Sequence, residues 1–223
     1  MPNLAETLYR NGLFKFYRQT WGYLTEIVAY PFVVILLLIL AYGIGRFVLR
    51  SFREKKLNVL SLLNVMGVLI CWFFVSWGWN YSCPGIQEKQ PVKLESTTPD
   101  YLQLAALAAE QAGILRNRLP YMTVWHSDSA YFEKVHPLVK NELTKLGFAP
   151  RGFGKVKLLR GNGFMRKLGI AGIYFPFAGE GYTDLTYMAP ERNFILAHEC
   201  AHVYGITDEG EANLVAFLAL VNS

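Results

Sequence analysis

The sequence predicts an α+β fold in which a two-helix transmembrane hairpin precedes a small domain with a short β-sheet. Three observations support this prediction. Two long apolar runs near the N-terminus are separated by a short basic segment. A later region alternates short β-prone runs with glycine-containing turns. Near the C-terminus the chain contains His-Glu-x-x-His, a pattern that places two imidazoles on one face of a helix.

Composition favours a membrane protein over a nucleic-acid-binding one. Among the 223 residues, 52% are apolar and only 17% are charged, which is unusually apolar for a soluble chain. Much of the net charge of +5 comes from one cluster between the two apolar runs, namely Arg46, Arg50, Arg53, Lys55 and Lys56. Such a cluster indicates membrane topology. We find no nucleic-acid-binding motif and no glycine-rich phosphate loop, so we expect the lipid bilayer as a partner and no nucleic acid.

The N-terminal part divides into two segments. Residues 1–26 mix aromatic and basic side chains, which predicts an amphipathic segment at the membrane interface; the alternative is the first helix of a packed domain. Residues 27–81 predict the hairpin, with spans of about 27–48 and 57–79, each long enough for a bilayer of about 30 Å. The basic loop should stay in the cytoplasm, so the remainder of the chain should lie outside it.

The rest of the chain predicts a linker over 82–97, rich in small and turn-forming residues, and a domain over 98–223. The patterns predict helices over 99–119 and 129–146, the second with a break near Pro137. A β-like stretch lies near 121–125. A strand is expected at 156–159, a β-rich run at 169–177, a turn at 178–181 and another strand at 182–187. The motif helix should open at 189–191, and a last helix should cover 208–221.

The motif itself predicts a zinc site. His198 and His202 lie four residues apart and can grip one ion, while Glu199 beside them can act as a general base. Gly205 is placed to end the helix. Asp208, Glu209 and Glu211 follow at a spacing that suits a third ligand. The three cysteines predict no disulfide framework, and Cys200 should face away from the histidines as a packing residue.

Several stretches together resemble known proteins. The motif resembles the zincin metallopeptidases. Four stretches together are similar to a bacterial membrane family catalogued as domain of unknown function 3810. These stretches are Trp77-Gly78-Trp79-Asn80-Tyr81, the run Gly172 to Glu180, the His motif through Gly205, and Glu209-x-Glu211-Ala212-Asn213. The resemblance implies a zincin-like metallopeptidase domain over 98–223 on the extracytoplasmic side of a bacterial cytoplasmic membrane.

The resemblance also bears on the third ligand. Glutamate-type zincins carry a ligating glutamate followed four residues later by a side chain that steadies a ligating histidine. This pattern implies Glu209 as the ligand and Asn213 as its support. Glu211 and Asp208 remain the alternatives. Asp208 lies six residues after His202, which is the spacing of the metzincin third ligand, but it also suits the start of the last helix, with Thr207 as its N-cap.

The expected function is therefore membrane-anchored, Zn²⁺-dependent hydrolysis of a peptide or protein substrate, with Glu199 as the general base. The alternative is a non-catalytic membrane protein with a degenerate or structural metal site. Two predicted strands, 170–175 and 182–187, could pair with an extended substrate. The donor to the reacting carbonyl oxygen stays open among Tyr174, Tyr182, Tyr187, Tyr204 and His126.

Overall fold

The computed structural model describes residues 4–28, 30–55, 59–90, 128–152, 155–159 and 162–221. A π-helix over Glu6–Phe14 continues directly into α1 (Lys15–Ile27). The hairpin consists of α2 (Phe32–Glu54) and α3 (Val59–Ser76). A 3₁₀-helix (Gly78–Ser82) and the short α4 (Ile86–Lys89) follow. The helix predicted over 99–119, the stretch 121–125 and His126 lie outside the described residues.

The two hairpin helices are long and apolar enough to cross a membrane. In the most apolar 18-residue stretch of α2 no residue is buried, and in that of α3 only 6% are. The apolar side chains of both helices therefore face outward. The first span begins at Phe32 and ends at Glu54, later at both ends than the expected 27–48. The basic residues continue the helix until Lys55, whose φ of 49° ends it. The second span ends at Ser76, and a 3₁₀ turn replaces its predicted last residues.

The remaining elements form an α+β domain. They are α5 (Asp128–Lys145), β1 (Val156–Leu159), α6 (Phe164–Lys167), β2 (Gly172–Phe175), β3 (Glu180–Asp184), α7 (Ala189–Val203) and α8 (Glu209–Val221). The sheet has the order β1-β3-β2; β1 is parallel to β3, and β2 is antiparallel to it. The central strand β3 is buried along its length, and β2 lies at an edge.

The core lies between α5, α7, α8 and β1 and is built from apolar residues that each helix presents to the others. Fully enclosed examples are Val139, Leu143, Ala201, Val203 and Val215. Burying each large aliphatic side chain contributes roughly 1.5–3 kcal/mol. Pro137 lies within α5 without breaking it, which differs from the predicted interruption.

The strand boundaries differ from the prediction, since β2 covers Gly172–Phe175 rather than 169–177 and β3 covers Glu180–Asp184 rather than 182–187. The turn lies at Pro176–Gly179 rather than 178–181, with the amide of Ala178 donating to the carbonyl of Phe175 at 3.1 Å. Glu180 and Gly181 then extend β3, because they pair with Phe175 and Tyr174 of β2. The expected linker also contains structure: residues 86–89 form α4, and Ile86 is buried in the domain core.

The N-terminal segment packs against the domain with one face and exposes apolar side chains on the other. Arg18 donates to the carbonyl of Gly179 at 2.6 Å, and the Trp21 indole donates to that of Ala178 at 3.1 Å. The opposite face carries exposed Leu8, Phe16 and Leu24. The two interpretations of this segment are thus compatible, since a packed helix can also present an apolar face to a membrane interface.

Candidate metal centre

Helix α7 holds the His motif, and specific contacts fix both of its ends. At the start, the amide of Met188 donates to the Glu191 carboxylate at 3.3 Å. At the end, Gly205 has a φ of +93°, which favours glycine, and a Cβ there would lie 2.9 Å from Oδ1 of Asn80. Arg10 donates to the carbonyls of Pro84 and Gly205 at 2.6 and 3.4 Å. The segment that leaves α3 is therefore held against the last turn of the motif helix.

Hydrogen bonds orient both histidine rings. Nδ1 of His202 lies 2.7 Å from the carbonyl oxygen of Ile206, which can only accept, so this nitrogen carries the hydrogen. Nδ1 of His198 lies 2.9 Å from Oδ1 of Asn213, an assignment that also gives it the hydrogen. The two Nε2 atoms are 3.0 Å apart. In the neutral tautomers both Nε2 lone pairs thus point toward a common position.

The Glu209 carboxylate completes this group. Its Oε2 lies 3.1 Å from Nε2 of His198 and its Oε1 lies 3.4 Å from Nε2 of His202. Three acceptors that converge in this way repel one another unless a proton or a cation lies between them. Ligands at 2.0–2.1 Å around tetrahedral zinc are separated by about 3.3 Å, so the donor set and its spacing fit zinc. Burial lowers the pKa of His198, which favours its neutral, ligating form.

The other acidic residues after the motif lie elsewhere. Oδ1 of Asp208 accepts the amide of Glu211 at 2.8 Å, so Asp208, rather than the expected Thr207, is the N-cap of α8. The Glu211 carboxylate accepts the amide of Ile86 at 2.7 Å and thereby caps α4. A Cβ on Gly85 would overlap that carboxylate, which explains a glycine there. Glu209 alone of these three carboxylates reaches the histidines.

Glu199 points from the same helix face toward the sheet. Its side chain is buried between two glycines on neighbouring strands: a Cβ on Gly172 would overlap its carboxylate, and one on Gly181 would lie 3.0 Å from its Cβ. Within the described part of the chain, Oε2 of Glu199 has no hydrogen-bond partner. Burial, and secondarily the negative charge of Glu209, raises its pKa to about 8. A pKa perturbed in this way is common at functional sites.

These groups line an open cleft of about 590 Å³. One wall is the edge strand β2, and another is formed by aromatic side chains from the end of α3 and the residues after it, namely Phe73, Trp77 and Tyr81. The centroid of the Trp77 ring lies 4.5 Å from the centroid of the Tyr174 ring and 6.2 Å from that of the His202 ring. Sequence reasoning did not assign these three aromatics or Phe194 to the site, because their approach to the motif is a long-range contact.

The proposed oxyanion donors are mostly engaged elsewhere. Tyr182 donates to the Glu180 carboxylate at 2.6 Å, the Tyr204 hydroxyl bonds to His136, and the Tyr187 ring lies under the Arg166 guanidinium. Tyr174 lines the cleft and is the one described candidate that does so. Cys200 is buried in the core on the other side of the helix, as predicted for a packing residue.

Comparisons with known proteins give a family and nothing closer. No curated protein and no solved structure matches the chain. A family model matches residues 9–223, a span that includes the hairpin, the cleft and the His motif. The chain therefore belongs to the family described as "Protein of unknown function (DUF3810)".

Proposed function

We propose that this protein is a membrane-anchored, zinc-dependent peptidase with a zincin-like domain. The observation that carries the proposal is the convergence of two histidine Nε2 atoms and the Glu209 carboxylate beside the buried Glu199, all of which line one open cleft. His198, His202 and Glu209 would hold the ion. Zinc bound there would supply a Lewis acid that polarises a carbonyl and makes water more acidic.

The chain's own residues would handle the proton. Glu199 would take a proton from the attacking water and pass it to the leaving amine, because its carboxylate lines the cleft beside the proposed ligands. Asn213 and the carbonyl of Ile206 keep the histidine rings oriented. The reaction adds OH to the peptide carbonyl carbon and hydrogen to the peptide nitrogen.

The edge strand favours an extended substrate. Of the two strands considered as docking edges, β3 is paired on both sides, whereas β2 has one edge unpaired within the described sheet. Ala171, Gly172, Ile173 and Tyr174 line the cleft. A peptide laid along β2 would gain main-chain hydrogen bonds and place a carbonyl beside Glu199.

The alternative of a structural metal site has less support. Structural zinc sites use four protein ligands, whereas catalytic sites use three and leave one position open. In the described ranges, the ligand group has three members: His198, His202 and Glu209. Cys200, which lies between the two histidines in sequence, is buried in the core.

Topology also belongs to the proposal. We place the basic end of α2 in the cytoplasm of a bacterium and the cleft on the extracytoplasmic side of its inner membrane. In a background with Cys71 and Cys83 replaced by alanine, Glu88→Cys should react with an impermeant thiol reagent in intact cells, and Arg53→Cys should not. The reverse pattern would place the cleft in the cytoplasm.

Glu199→Gln tests the chemistry. The variant should retain zinc, because Glu199 is not a ligand, and should lose hydrolysis of a randomised peptide library monitored by mass spectrometry. The loss should be at least about 100-fold for a general base. Cleavage by the variant at the wild-type rate would remove Glu199 from the mechanism.

A further inference from the structure

The position of the cleft relative to the hairpin bears on the class of substrate. Phe73 lies within α3, three residues before its end, and its side chain lines the cleft. Trp77 and Tyr81, which follow α3 directly, line the same wall. A single cavity is therefore bounded by both a candidate membrane-spanning helix and the proposed zinc ligands.

The length of α3 fixes how close this cleft comes to the bilayer. The helix has 18 residues, so it is about 27 Å long, whereas the hydrocarbon core is about 30 Å thick. Lys56 lies only three residues before the start of the helix, so the apolar span can extend little further in that direction. All of α3 is needed to cross the membrane. Its last turn, which includes Phe73, must then lie at the hydrocarbon boundary.

The aromatic residues beyond α3 agree with this position. Trp79 is 48% exposed and Tyr81 65% exposed, as expected for side chains in an interfacial aromatic belt. The centroid of the buried Trp77 ring lies 6.4 Å from that of Tyr81 and 6.2 Å from that of His202, so one side chain separates the belt from a proposed zinc ligand.

A second connection holds the domain close to the membrane. Glu180 of β3 accepts the amide of Phe32 at 3.0 Å, and the Tyr182 hydroxyl accepts the amide of Val33 at 3.1 Å, so β3 caps the first turn of α2. The Lys157 ammonium lies 2.5 Å from the Glu180 carboxylate and donates to the carbonyl of Val28 at 2.9 Å. Phe177, from the turn between β2 and β3, packs on the ring of Trp72 in α3.

We infer that the cleft takes membrane-anchored polypeptides and cleaves them in the extended segment next to their anchor. The inference rests on the proposed peptidase function and adds its substrate class. With the sheet attached to both hairpin helices, the domain cannot lift the cleft away from the lipid. A chain emerging from the bilayer meets β2 and the exposed Ile173 within a few residues of its anchor. A freely diffusing peptide has no such advantage in local concentration.

The test uses the full-length protein in vesicles of phosphatidylethanolamine and phosphatidylglycerol. One randomised peptide library is presented in three forms: free, attached to a lipid through a Gly-Ser spacer of about 5 residues, and attached through one of about 30 residues. We expect the short-spacer form to be cleaved about tenfold faster than the long-spacer form, and the free form to be slowest. Equal rates for the three forms, or a preference for the long spacer, would overturn the inference while leaving the peptidase in place.

Two controls separate this inference from the proposed function. If wild type cleaves no form better than Glu199→Gln does, the peptidase proposal fails and the substrate class falls with it. Independently of activity, a fluorophore on Ile173→Cys, in the background lacking Cys71 and Cys83, should be quenched by lipids brominated near the head group. The same fluorophore on Leu38→Cys should be quenched by lipids brominated deep in the chain. An unquenched label at residue 173 would place the cleft away from the bilayer and overturn the inference.

Discussion

Nδ1 of His198 lies 2.9 Å from Oδ1 of Asn213, across the interface between α7 and α8. This contact fixes the tautomer and the direction of one proposed ligand from a different helix. Such supporting contacts commonly change metal affinity by about 10–100-fold when they are removed.

Asn213→Ala should therefore weaken zinc binding by about 10–100-fold, measured by competition with a chelator. Asn213→Asp keeps an acceptor at the same position and should retain most of the affinity. The neighbouring exposed Leu214 serves as the matched control, and Leu214→Ala should bind zinc as wild type does. Unchanged affinity in Asn213→Ala would show that the contact does not support the site.

Gly172→Ala tests the contact between β2 and Glu199. A Cβ at this position overlaps the Glu199 carboxylate, so the side chain or the strand must move. A displacement of about 1 Å at a reacting group can cost about 100-fold in rate, so hydrolysis should fall by that order while zinc content stays unchanged. Gly67→Ala, where a Cβ meets nothing within 4 Å, should leave the rate unaltered. Wild-type hydrolysis by Gly172→Ala would mean that Glu199 does not depend on this packing.

The pKa of Glu199 predicts a pH-dependent difference in stability. With a folded pKa of about 8 against an ordinary value of 4.5, the native carboxyl stays protonated while the unfolded one ionises. Wild type should therefore lose stability relative to Glu199→Gln as the pH rises from about 4.5 to about 8, by an amount on the order of a few kcal/mol. Below about pH 4.5 the carboxyl is protonated in both the native and the unfolded state, so the difference in stability should no longer change with pH.

The measurement is the Tm of both proteins in detergent after treatment with a chelator, across this pH range. His198, whose pKa is lowered by burial, has the opposite dependence, because it loses stability as the pH falls through its unfolded value. Since both proteins contain His198, the comparison cancels its contribution. A difference in Tm that is constant with pH would show that the Glu199 carboxyl is not perturbed.

The motif helix could be predicted from local pattern because its information is local. The spacing of His198 and His202 matches the helical period, and Gly205 marks the end of the helix. The candidate ligands on α8 follow within one short loop. Which of these carboxylates faces the histidines could not be predicted, because it depends on partners outside the motif. The Glu211 carboxylate, for example, accepts the amide of Ile86, which is distant in sequence.

The errors at the sheet have a comparable cause. Glu180 stands among glycines and resembles a turn residue, yet it is fully buried in β3 because Lys157 neutralises it and the amide of Phe32 donates to it. These partners come from a different strand and from a hairpin helix. No pattern in residues 178–181 indicates them. The sequence also did not predict the aromatic wall of the cleft. Phe73 and Trp77 lie in an apolar run that predicts a membrane span, and their contact with the motif is long-range.

The zinc content of the purified protein tests the metal centre most directly. Elemental analysis should find stoichiometric zinc in wild type and in Glu211→Ala, and little in His202→Ala and Glu209→Ala. Glu211 is the matched control, because it lies two residues from Glu209 on the same helix and binds the Ile86 amide instead. Zinc-free wild type, or zinc that is kept in Glu209→Ala and lost in Glu211→Ala, would contradict the proposed ligand set.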